Sequence, residues 1–306
     1  MKNVRISLKG KGTVNGNQYT RSQVVSALCE YKDALASDFR SRFDSKMPDR
    51  KWILEDMNLI ANSNGLAVDS EFRQLNDDLI EICRTITTYS KGLHGEHDAM
   101  RAMSRLLPGE EMEVIHNITI EDGDECTEFD SIVITPYGIF TIEVKSYGQE
   151  MTWDEKGIIG PTYGKQWKKD LGERMNCKEF LIRKELAEYA SVPFHNILLI
   201  SDNRVKIRDN YKRVSISYLN TIMADIRNYS RGERYLSTAE IQAIKQKLMA
   251  NNKPVYVDCP IDCDRVSQEY EWFLNRIEEE RNKGIINRVR RVLSWVTGAA
   301  SSPETA

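Results

Sequence analysis

The segment of residues 129–145, FDSIVITPYGIFTIEVK, constrains the fold more than any other part of the chain. Two stretches rich in β-branched residues flank a Pro-Tyr-Gly turn, and this pattern is typical of two antiparallel strands joined by a short loop. If the Pro-Tyr pair forms a two-residue loop, Thr135 pairs with Gly138 and Asp130 lies opposite Glu143. A longer turn around the proline shifts the register by one residue and makes the contact between the two acids diagonal.

The side chains of the second strand alternate between the two faces of the predicted hairpin. One face therefore carries Ile139, Thr141, Glu143 and Lys145, and the other carries Phe140, Ile142 and Val144. Directly opposed residues have β-carbons about 4.5–5.5 Å apart, so the carboxylates of Asp130 and Glu143 are close enough to hold one cation. Without a cation the two carboxylates repel each other, and partial burial forces one of them to keep a proton. Lys145 can orient a water molecule or offset charge on a phosphate, which a metal-dependent phosphodiesterase requires.

A third acid, Glu96, lies on a helix predicted at His94–Leu107, upstream of the hairpin. Helical spacing places Glu96 in one stripe with Met100, Met103 and Leu107. Because these three apolar residues are expected to face the sheet, Glu96 is expected to point inward at the first turn. Taken alone, an acid there favours an interaction with the positive end of the helix dipole. With Asp130 and Glu143 downstream, we favour a metal-site role.

The chain of 306 residues is long enough for about two domains of roughly 150 residues each. Hydrophobic periodicity and turn residues indicate three parts: a mainly helical region at 1–93, a core at 94–230 and a helical region at 231–306. We expect residues 1–93 to serve packing, dimerisation or partner docking, because they contain no set of catalytic side chains. The predicted fold class is α/β (α+β), with a mixed sheet flanked by helices and with helical regions at both ends.

The predicted elements follow from the spacing of apolar residues and from the glycines between them. In the first region they are a strand at Val4–Leu8 and helices at Ser22–Phe43 and about Glu71–Tyr89, the latter ended by Gly92 and Gly95. After the helix at His94–Leu107, the core has strands at about Met112–Ile120, Phe129–Thr135 and Gly138–Tyr147, a helix at about Gln166–Tyr189 and a strand at Asn196–Ser201. The last region has helices at Thr238–Ala250, Asp264–Lys283 and Ile286–Thr297 and a disordered tail.

Composition places the chain among ordinary globular proteins, with 41% hydrophobic and 29% charged residues. Its longest apolar runs are far shorter than the ~20 residues of a membrane span, and the N-terminus lacks the apolar region of a signal peptide. The sequence therefore predicts a cytoplasmic protein without a membrane span. Six cysteines are too few and too scattered for a disulfide scaffold. Cys259 and Cys263 are close, but a structural zinc site needs a second such pair, so we expect reduced thiols.

The net charge of −3 does not indicate nucleic-acid binding, but the distribution of charge is uneven. Residues 121–130 hold six acids and no base, whereas residues 281–291 hold five bases and no acid. The bases that are candidates for contacting DNA are Lys165, Lys168, Lys169, Arg288, Arg290 and Arg291. Solvated helix faces explain these basic runs equally well. Three aromatic residues could stack on bases, although packing is the favoured interpretation for them: Trp153, Tyr163 and Trp167.

The predicted C-terminal helix combines this basic face with an apolar stripe formed by Ile285, Val289, Val292, Leu293 and Val296. Such a helix can pack on the protein's own core, bind an anionic membrane surface, enter a partner's groove or contact the DNA backbone. Among the functional interpretations we prefer DNA, because the acidic metal site cannot attract a polyanion unaided.

These residues resemble the nuclease-related domain (NERD) family of the PD-(D/E)XK phosphodiesterase superfamily. The matching marks are Gly95-Glu96 on the opening helix, Asp130 at the start of an apolar strand, and the run GIFTIEVK at 138–145. The resemblance covers about residues 94–225. It implies a restriction-endonuclease-like core that cleaves DNA with the help of Mg²⁺ or Mn²⁺.

The resemblance also implies roles for individual residues. The metal would be held by Glu96, Asp130, Glu143 and the backbone carbonyl of Val144, and Lys145 would serve the attacking water. The chain departs from the family in two places. Phe129 precedes Asp130 where the superfamily's name has proline. The Asn-Pro and following Gln that often mark the next helix correspond at best to Asn176-Cys177, with no clear Gln. Gln166, at the start of that helix, is the candidate for substrate positioning.

We therefore predict a Mg²⁺-dependent DNA endonuclease. The resemblance implies a setting in prokaryotic defence or DNA repair beside an ATPase, a helicase or another partner protein, and a homo-oligomer is a further option. The alternative is a nuclease-like module that binds DNA or a protein without cutting, and another metal-dependent hydrolase is a third hypothesis. The complete set of two acids and a lysine favours cleavage, because an inactive site has no physical need for inward-facing charges.

Overall fold

The computed structural model describes residues 19–43, 57, 61–63, 70–105, 107, 109–122, 125–164, 168–250, 252, 257 and 259–296. The predicted strand at Val4–Leu8 and the tail at 301–306 lie outside these residues. Packing divides the chain into two compact units, one comprising Met1–Thr88 with Val257–Ala306 and the other Tyr89–Tyr256. The three-part division into 1–93, 94–230 and 231–306 stays a prediction.

The α-helices are α1 (Arg21–Phe43), α2 (Ser70–Met103), α3 (Leu171–Glu185), α4 (Ile222–Tyr229), α5 (Thr238–Ala250) and α6 (Cys263–Val296). The strands are β1 (Glu113–Asp122), β2 (Glu125–Thr135), β3 (Gly138–Lys145), β4 (Met151–Trp153), β5 (Ile158–Pro161), β6 (Lys169–Asp170), β7 (Phe194–Ile200), β8 (Ile207–Asp209) and β9 (Ser215–Tyr218). A short 3₁₀ helix at Ala187–Tyr189 follows α3. No helix within the described ranges is long and apolar enough to cross a membrane.

Helix α1 forms where the apolar spacing predicts it. Thr20 and Gln23 form a capping box at its start, because the Gln23 N–H donates to Thr20 Oγ1 (3.3 Å) and the Thr20 N–H donates to Gln23 Oε1 (2.9 Å). The buried residues of the helix recur every three or four positions and are Val24, Leu28, Tyr31, Leu35 and Phe39. In the same unit, the Tyr31 hydroxyl donates to the Cys263 carbonyl at 3.0 Å, and Phe72 stacks on Phe273 with ring centroids 5.0 Å apart.

Two of the predicted helix ends are wrong. Residues 70–103 form the single helix α2, although Gly92 and Gly95 were expected to end it, and residues 263–296 form the single helix α6 through Gly284. One glycine costs a helix only about 1 kcal/mol, which strong helix formers on both sides outweigh. Gly95 serves close packing instead, because a β-carbon there would collide with Ser146 Oγ and lie 3.2 Å from Ser201 Oγ.

The central five-stranded sheet has the order β1-β2-β3-β7-β9 and is mixed. The β1–β2 and β2–β3 pairs are antiparallel, whereas β7 and β9 run parallel to β3. In the β2–β3 hairpin Thr135 pairs with Gly138, so the two-residue loop and its register are confirmed. The strands predicted in the core correspond to β1, β2, β3 and β7.

The two faces of this sheet pack against different helices, as the alternation of side chains in β3 predicts. On one face, Ile132, Ile134 and Ile139 form a core with residues of α3 and α5. On the other face, Phe140, Ile142 and Val144 pack with Ala99 and Met103 of α2 and with α4. The side chain of Glu143 belongs to the first face, because it alternates with Ile142 and Val144.

A second sheet with the order β6-β5-β4-β8 consists of strands of two to four residues, which are too short for a clear periodic signal. Trp153 is buried there and stacks on Tyr211 with ring centroids 5.0 Å apart, so it packs in the core, as the sequence favoured. Helix α3 begins at Leu171, later than the predicted Gln166, because Lys169 and Asp170 pair with β5. The Asp170 carboxylate then caps the helix by accepting from the Glu173 N–H at 2.9 Å.

Candidate active site

The structure brings Asp130 and Glu143 together on the adjacent strands β2 and β3. Ser131 of β2 pairs with Ile142 of β3 at one end of the ladder between these strands. The same register, continued by one residue, places Asp130 beside Glu143. Asp130 Oδ2 accepts a hydrogen bond of 2.6 Å from the Val144 backbone N–H. The exposed fractions are 8% for Asp130 and 1% for Glu143, so both carboxyl groups lie in the protein interior.

The β1–β2 ladder is interrupted opposite Asp130. His116 pairs with Ser131 and Ile118 pairs with Phe129, so Asn117 and Asp130 lie between these two pairs. Asn117 has a positive φ of 51°. Asparagine is one of the few residues with a side chain that adopt this backbone conformation at low cost. Such local irregularities are concentrated at functional sites, where they set the direction of a side chain.

Three cations surround the carboxylate of Glu143. Lys145 Nζ donates to Glu143 Oε1 and also to the Val144 carbonyl oxygen, at 3.1 Å in the second case. Lys178 Nζ, from α3, donates to the other carboxylate oxygen, Glu143 Oε2. Arg174 Nη2 lies 3.8 Å from Glu143 Oε1. The carboxylate is therefore paired on both oxygens within the protein itself.

Sequence reasoning assigned neither Arg174 nor Lys178 to this site, and of the two Lys178 has the more buried side chain. It is buried on α3 in the same stripe as Leu171, Met175 and Ile182. Its ammonium also lies 5.4 Å from the centroid of the Phe129 ring, a distance at which a cation is attracted to the aromatic face. The sequence did contain a signal for Lys178, because this lysine occupies a core position of an amphipathic helix. Lysine is almost never fully buried without a partner, so its position indicated a buried anionic partner.

The electrostatic surroundings move the pKa values of the two acids in opposite directions. Burial alone would raise the pKa of Glu143, but the positive charges of Lys145, Lys178 and Arg174 outweigh it and lower the pKa to about 2. Burial raises the pKa of Asp130, and the negative charge of Glu143 raises it further. One carboxyl group is thus held ionised and its neighbour is biased towards the protonated form, as in sites that divide acid and base roles between two carboxyls.

Glu96 is half-buried on α2, next to the close contact of Gly95 with Ser146 and Ser201. These serines directly follow β3 and β7, so Glu96 lies near the end of β3 that carries Lys145. The predicted stripe is partly wrong. Leu107 is exposed beyond the end of α2, and the residues that pack on the sheet are Ala99 and Met103, on the face opposite the Glu143 side chain. The role of Glu96 in metal binding stays a prediction.

Among the described residues, no three His, Cys, Asp or Glu side chains form a group that could hold a metal ion. The oxygen donors nevertheless fit Mg²⁺, because Glu143 Oε1 and the Val144 carbonyl already converge on one cation, the Lys145 ammonium. Asp130, Glu143 and that carbonyl supply only hard oxygen ligands. Mg²⁺ is commonly held by one or two carboxylates while it keeps several waters.

The remaining predicted residues lie away from the carboxylate pair or outside the description. Lys165 and Gln166 are outside the described residues, whereas Lys168 and Lys169 are exposed just before α3. Arg290 is exposed on α6, and the side chains of Arg288 and Arg291 are outside the description. In the apolar stripe of that helix, the described side chains of Ile285 and Val289 are exposed.

Comparison with known proteins agrees with the marks in the sequence. Residues 91–201 match the family model of the nuclease-related domain. The chain is also 29% identical over 178 residues to an uncharacterised protein of Bacillus anthracis, an alignment that covers 53% of this chain and 77% of that protein. No solved structure gives a significant match. The matched segment contains α2 from residue 91 onwards and the strands β1 to β7, and therefore includes Asp130, Glu143, Lys145 and Lys178.

Proposed function

Residues 91–201 form a nuclease-related domain of the PD-(D/E)XK-like nuclease superfamily, and from this premise we propose that the protein is a Mg²⁺-dependent DNA endonuclease. The observation that carries the proposal is the buried pair of Asp130 and Glu143 on neighbouring strands, with Lys145 on the same strand as Glu143. Burying two acids side by side is costly, and a hydrolytic site gives the arrangement a function.

Each residue has a distinct part in the proposed reaction. Glu143 stays ionised across the physiological pH range because its pKa is lowered to about 2. The Val144 N–H fixes the orientation of Asp130 by donating to its carboxylate. Lys145 is the most solvent-exposed member of the set, and its ammonium can leave Glu143 to orient the attacking water or to contact the scissile phosphate.

The size of the rate enhancement that phosphodiester hydrolysis requires is the reason why the proposal includes a divalent cation. Enzymes that hydrolyse phosphate esters reach rate enhancements on the order of 10¹⁵-fold or more, whereas general acid–base catalysis by one side chain contributes about 10²–10⁴-fold. When bound, Mg²⁺ or Mn²⁺ supplies Lewis-acid polarisation of the phosphate and lowers the pKa of a bound water. The residues that would hold it are Asp130, Glu143, the Val144 carbonyl and Glu96.

We further propose DNA as the substrate, with exposed Lys168 and Lys169 before α3 and the basic residues of α6 contacting its phosphates. The predicted cytoplasmic location, the setting in prokaryotic defence or repair, and an ATPase or helicase partner belong to this proposal as expectations. The setting and the partner follow from the resemblance to the family, not from any contact in the molecule.

One observation favours the second candidate function, a module that binds DNA or protein without cutting. Lys145 and Lys178 already neutralise Glu143 without a metal, and the described acids do not gather into a group of three. An inactive descendant of a nuclease could keep such an ion-pair cluster to hold α3 against the sheet.

The deciding experiment incubates the pure protein with supercoiled, linear and single-stranded DNA, and with RNA, in the presence and absence of Mg²⁺ or Mn²⁺. We expect metal-dependent cleavage that is lost in Glu143→Gln and in Lys145→Met. The control is Lys156→Met, which changes an exposed lysine of the same unit. Mn²⁺ is expected to raise the melting temperature of the wild type but not of Asp130→Ala.

Two results would contradict cleavage in favour of binding. One is the absence of a product with every substrate while DNA is still retained in a mobility-shift assay. The other is unchanged cleavage in Glu143→Gln, which would mean that the activity comes from a contaminating nuclease or from another site of the chain.

A further inference from the structure

Lys178 and Lys145 hold the same carboxylate from different sides and in different surroundings. The side chain of Lys178 is 5% exposed and donates to Glu143 Oε2, whereas the side chain of Lys145 is 27% exposed and donates to Glu143 Oε1. Lys178 lies on α3, whose neighbouring buried residues Met175 and Ile182 pack against the core of the same unit. The two lysines therefore differ in freedom of movement.

Building on the proposed function, we propose that Lys178 is a resident counter-ion of Glu143, which balances the charge of this buried carboxylate in the metal-free protein and weakens its attraction for a divalent cation. Lys145 is the exchangeable partner. Its ammonium bridges Glu143 Oε1 and the Val144 carbonyl, the two oxygens on which a cation converges. Lys178 stays on the far oxygen when Lys145 leaves.

Burial makes Lys178 the stronger of the counter-ions. Two unit charges in contact interact several times more strongly in a partly dehydrated site than in water. Removing one member of a buried ion pair leaves the other charge without compensation, which is strongly destabilising. Arg174 contacts the same carboxylate at 3.8 Å, but its side chain is 54% exposed, so it is screened by solvent and contributes less.

The arrangement has two consequences of opposite sign. Without a metal, Lys178 balances the charge of Glu143 in the protein interior and stabilises the fold. With a metal, the fixed positive charge near Glu143 opposes the incoming cation, so the protein binds Mg²⁺ more weakly than its oxygen donors alone would allow. Loss of Lys178 should therefore destabilise the metal-free protein and tighten metal binding in the same variant.

The test compares Lys178→Met with wild type in the full chain, using Mn²⁺ as the probe. Titration calorimetry or Mn²⁺ electron paramagnetic resonance gives the dissociation constant, and thermal melts in a chelator give the metal-free stability. We expect Mn²⁺ to bind about tenfold more tightly in Lys178→Met and the metal-free melting temperature to fall by about 6 °C or more. Arg174→Met is expected to show smaller changes in the same directions, and Lys156→Met, at an exposed lysine of the same unit, no change.

A second variant covers the case in which Lys178→Met does not fold. Glu143→Gln combined with Lys178→Met removes both charges, and we expect it to be more stable than Lys178→Met alone, because no uncompensated charge is left inside. Equal instability of the single and double variants overturns the counter-ion role, since the lysine would then matter only for its packing.

The outcomes separate this inference from the function on which it rests. If the wild type binds Mn²⁺ and Lys178→Met binds it equally or more weakly, the counter-ion inference is wrong and the nuclease proposal stands. If neither protein binds Mn²⁺ at millimolar concentration, the metal-dependent function and the inference fail together. Binding to Lys178→Met that is tighter than to the wild type supports both.

Discussion

Asp130 and Glu143 lie side by side on β2 and β3, yet the pKa of one carboxyl is raised and the pKa of the other is lowered to about 2. The difference has a structural cause. Asp130 receives a single backbone N–H, whereas Glu143 receives the ammonium groups of Lys145 and Lys178. The two acids therefore contribute to stability with opposite signs, and substitution of each by its amide separates their contributions.

Asp130→Asn is expected to stabilise the metal-free protein at neutral pH. A carboxyl with a raised pKa in the folded state costs stability as the pH rises above the unfolded value of about 3.8. Asparagine keeps an oxygen acceptor for the Val144 N–H and removes the charge. We expect a gain in melting temperature of roughly 2–4 °C, measured in a chelator and larger at pH 8 than at pH 5. A lower melting temperature at both pH values would refute this prediction.

Glu143→Gln is expected to destabilise the same protein. Its pKa of about 2 in the folded state lies below the ordinary value of 4.5 for glutamate, so its stabilising contribution is complete above about pH 4.5 and is lost as the pH falls through 2. The amide leaves Lys178 buried without an anion, which typically costs about 3–5 kcal/mol. Urea unfolding at pH 7 measures the change, and a variant as stable as wild type would mean that the lysines find other partners.

Gly95→Ala is expected to disturb the packing of α2 near the candidate site. The added β-carbon would collide with Ser146 Oγ, which is itself within 2.7 Å of Ser201 Oγ. We expect a loss of about 1–3 kcal/mol. The matched control is Gly92→Ala on the same helix, where the added carbon meets nothing within 4 Å apart from its chain neighbours and the backbone of the helix itself. There the higher helix propensity of alanine should add up to about 1 kcal/mol. Equal effects of the two substitutions in denaturant melts would show that Gly95 has no packing role.

Cys259 is expected to react faster with iodoacetamide than Cys177, although Cys177 is exposed and Cys259 is only half-buried. The side-chain hydrogen bond with Cys263 lowers the pKa of the Cys259 thiol to about 6, against the opposing effect of burial. The thiolate is the reactive form of cysteine, and most of the Cys259 side chains should be thiolates at pH 7. Mass spectrometry of the alkylated peptides over pH 5–9 measures the midpoint. Cys263→Ala should shift that midpoint upward, and faster labelling of Cys177 at pH 7 would contradict the assignment.

The basic residues of α6 are expected to contribute to DNA affinity through the phosphates. Each phosphate contact that is lost reduces the slope of log affinity against log salt by about 0.9. Changing Arg288, Arg290 and Arg291 together to Gln should weaken binding uniformly across sequences and reduce the slope by up to roughly three. Changing Lys168 and Lys169 to Gln provides a comparison within the matched segment and should reduce the slope by up to about two. An unchanged slope in the triple variant would show that α6 does not contact DNA and would leave core packing or a protein partner as the role of its apolar stripe.

The sequence by itself determined the features that depend on neighbours along the chain. The length of the turn sets the register of the β2–β3 hairpin, so the pairing of Thr135 with Gly138 and the position of Asp130 beside Glu143 could be predicted. The alternation of side chains assigned Glu143 and Val144 to opposite faces. The period of 3.6 residues located α1. In each case the relevant interaction lies within the element or across one tight turn.

The tertiary structure decided what surrounds the carboxylates. Lys178 is 35 residues from Glu143 in sequence, and only the packing of α3 on the sheet places its ammonium against that carboxylate. The same packing adds an ion-pair cluster around Glu143, while the charge of Glu143 still raises the pKa of Asp130. Tertiary packing also gives Gly95 its role, because its close approach to Ser146 and Ser201 leaves no room for a β-carbon. Desolvation and Coulomb interactions depend on distances in space, so a pattern along the chain identifies the charged groups but not which of them meet.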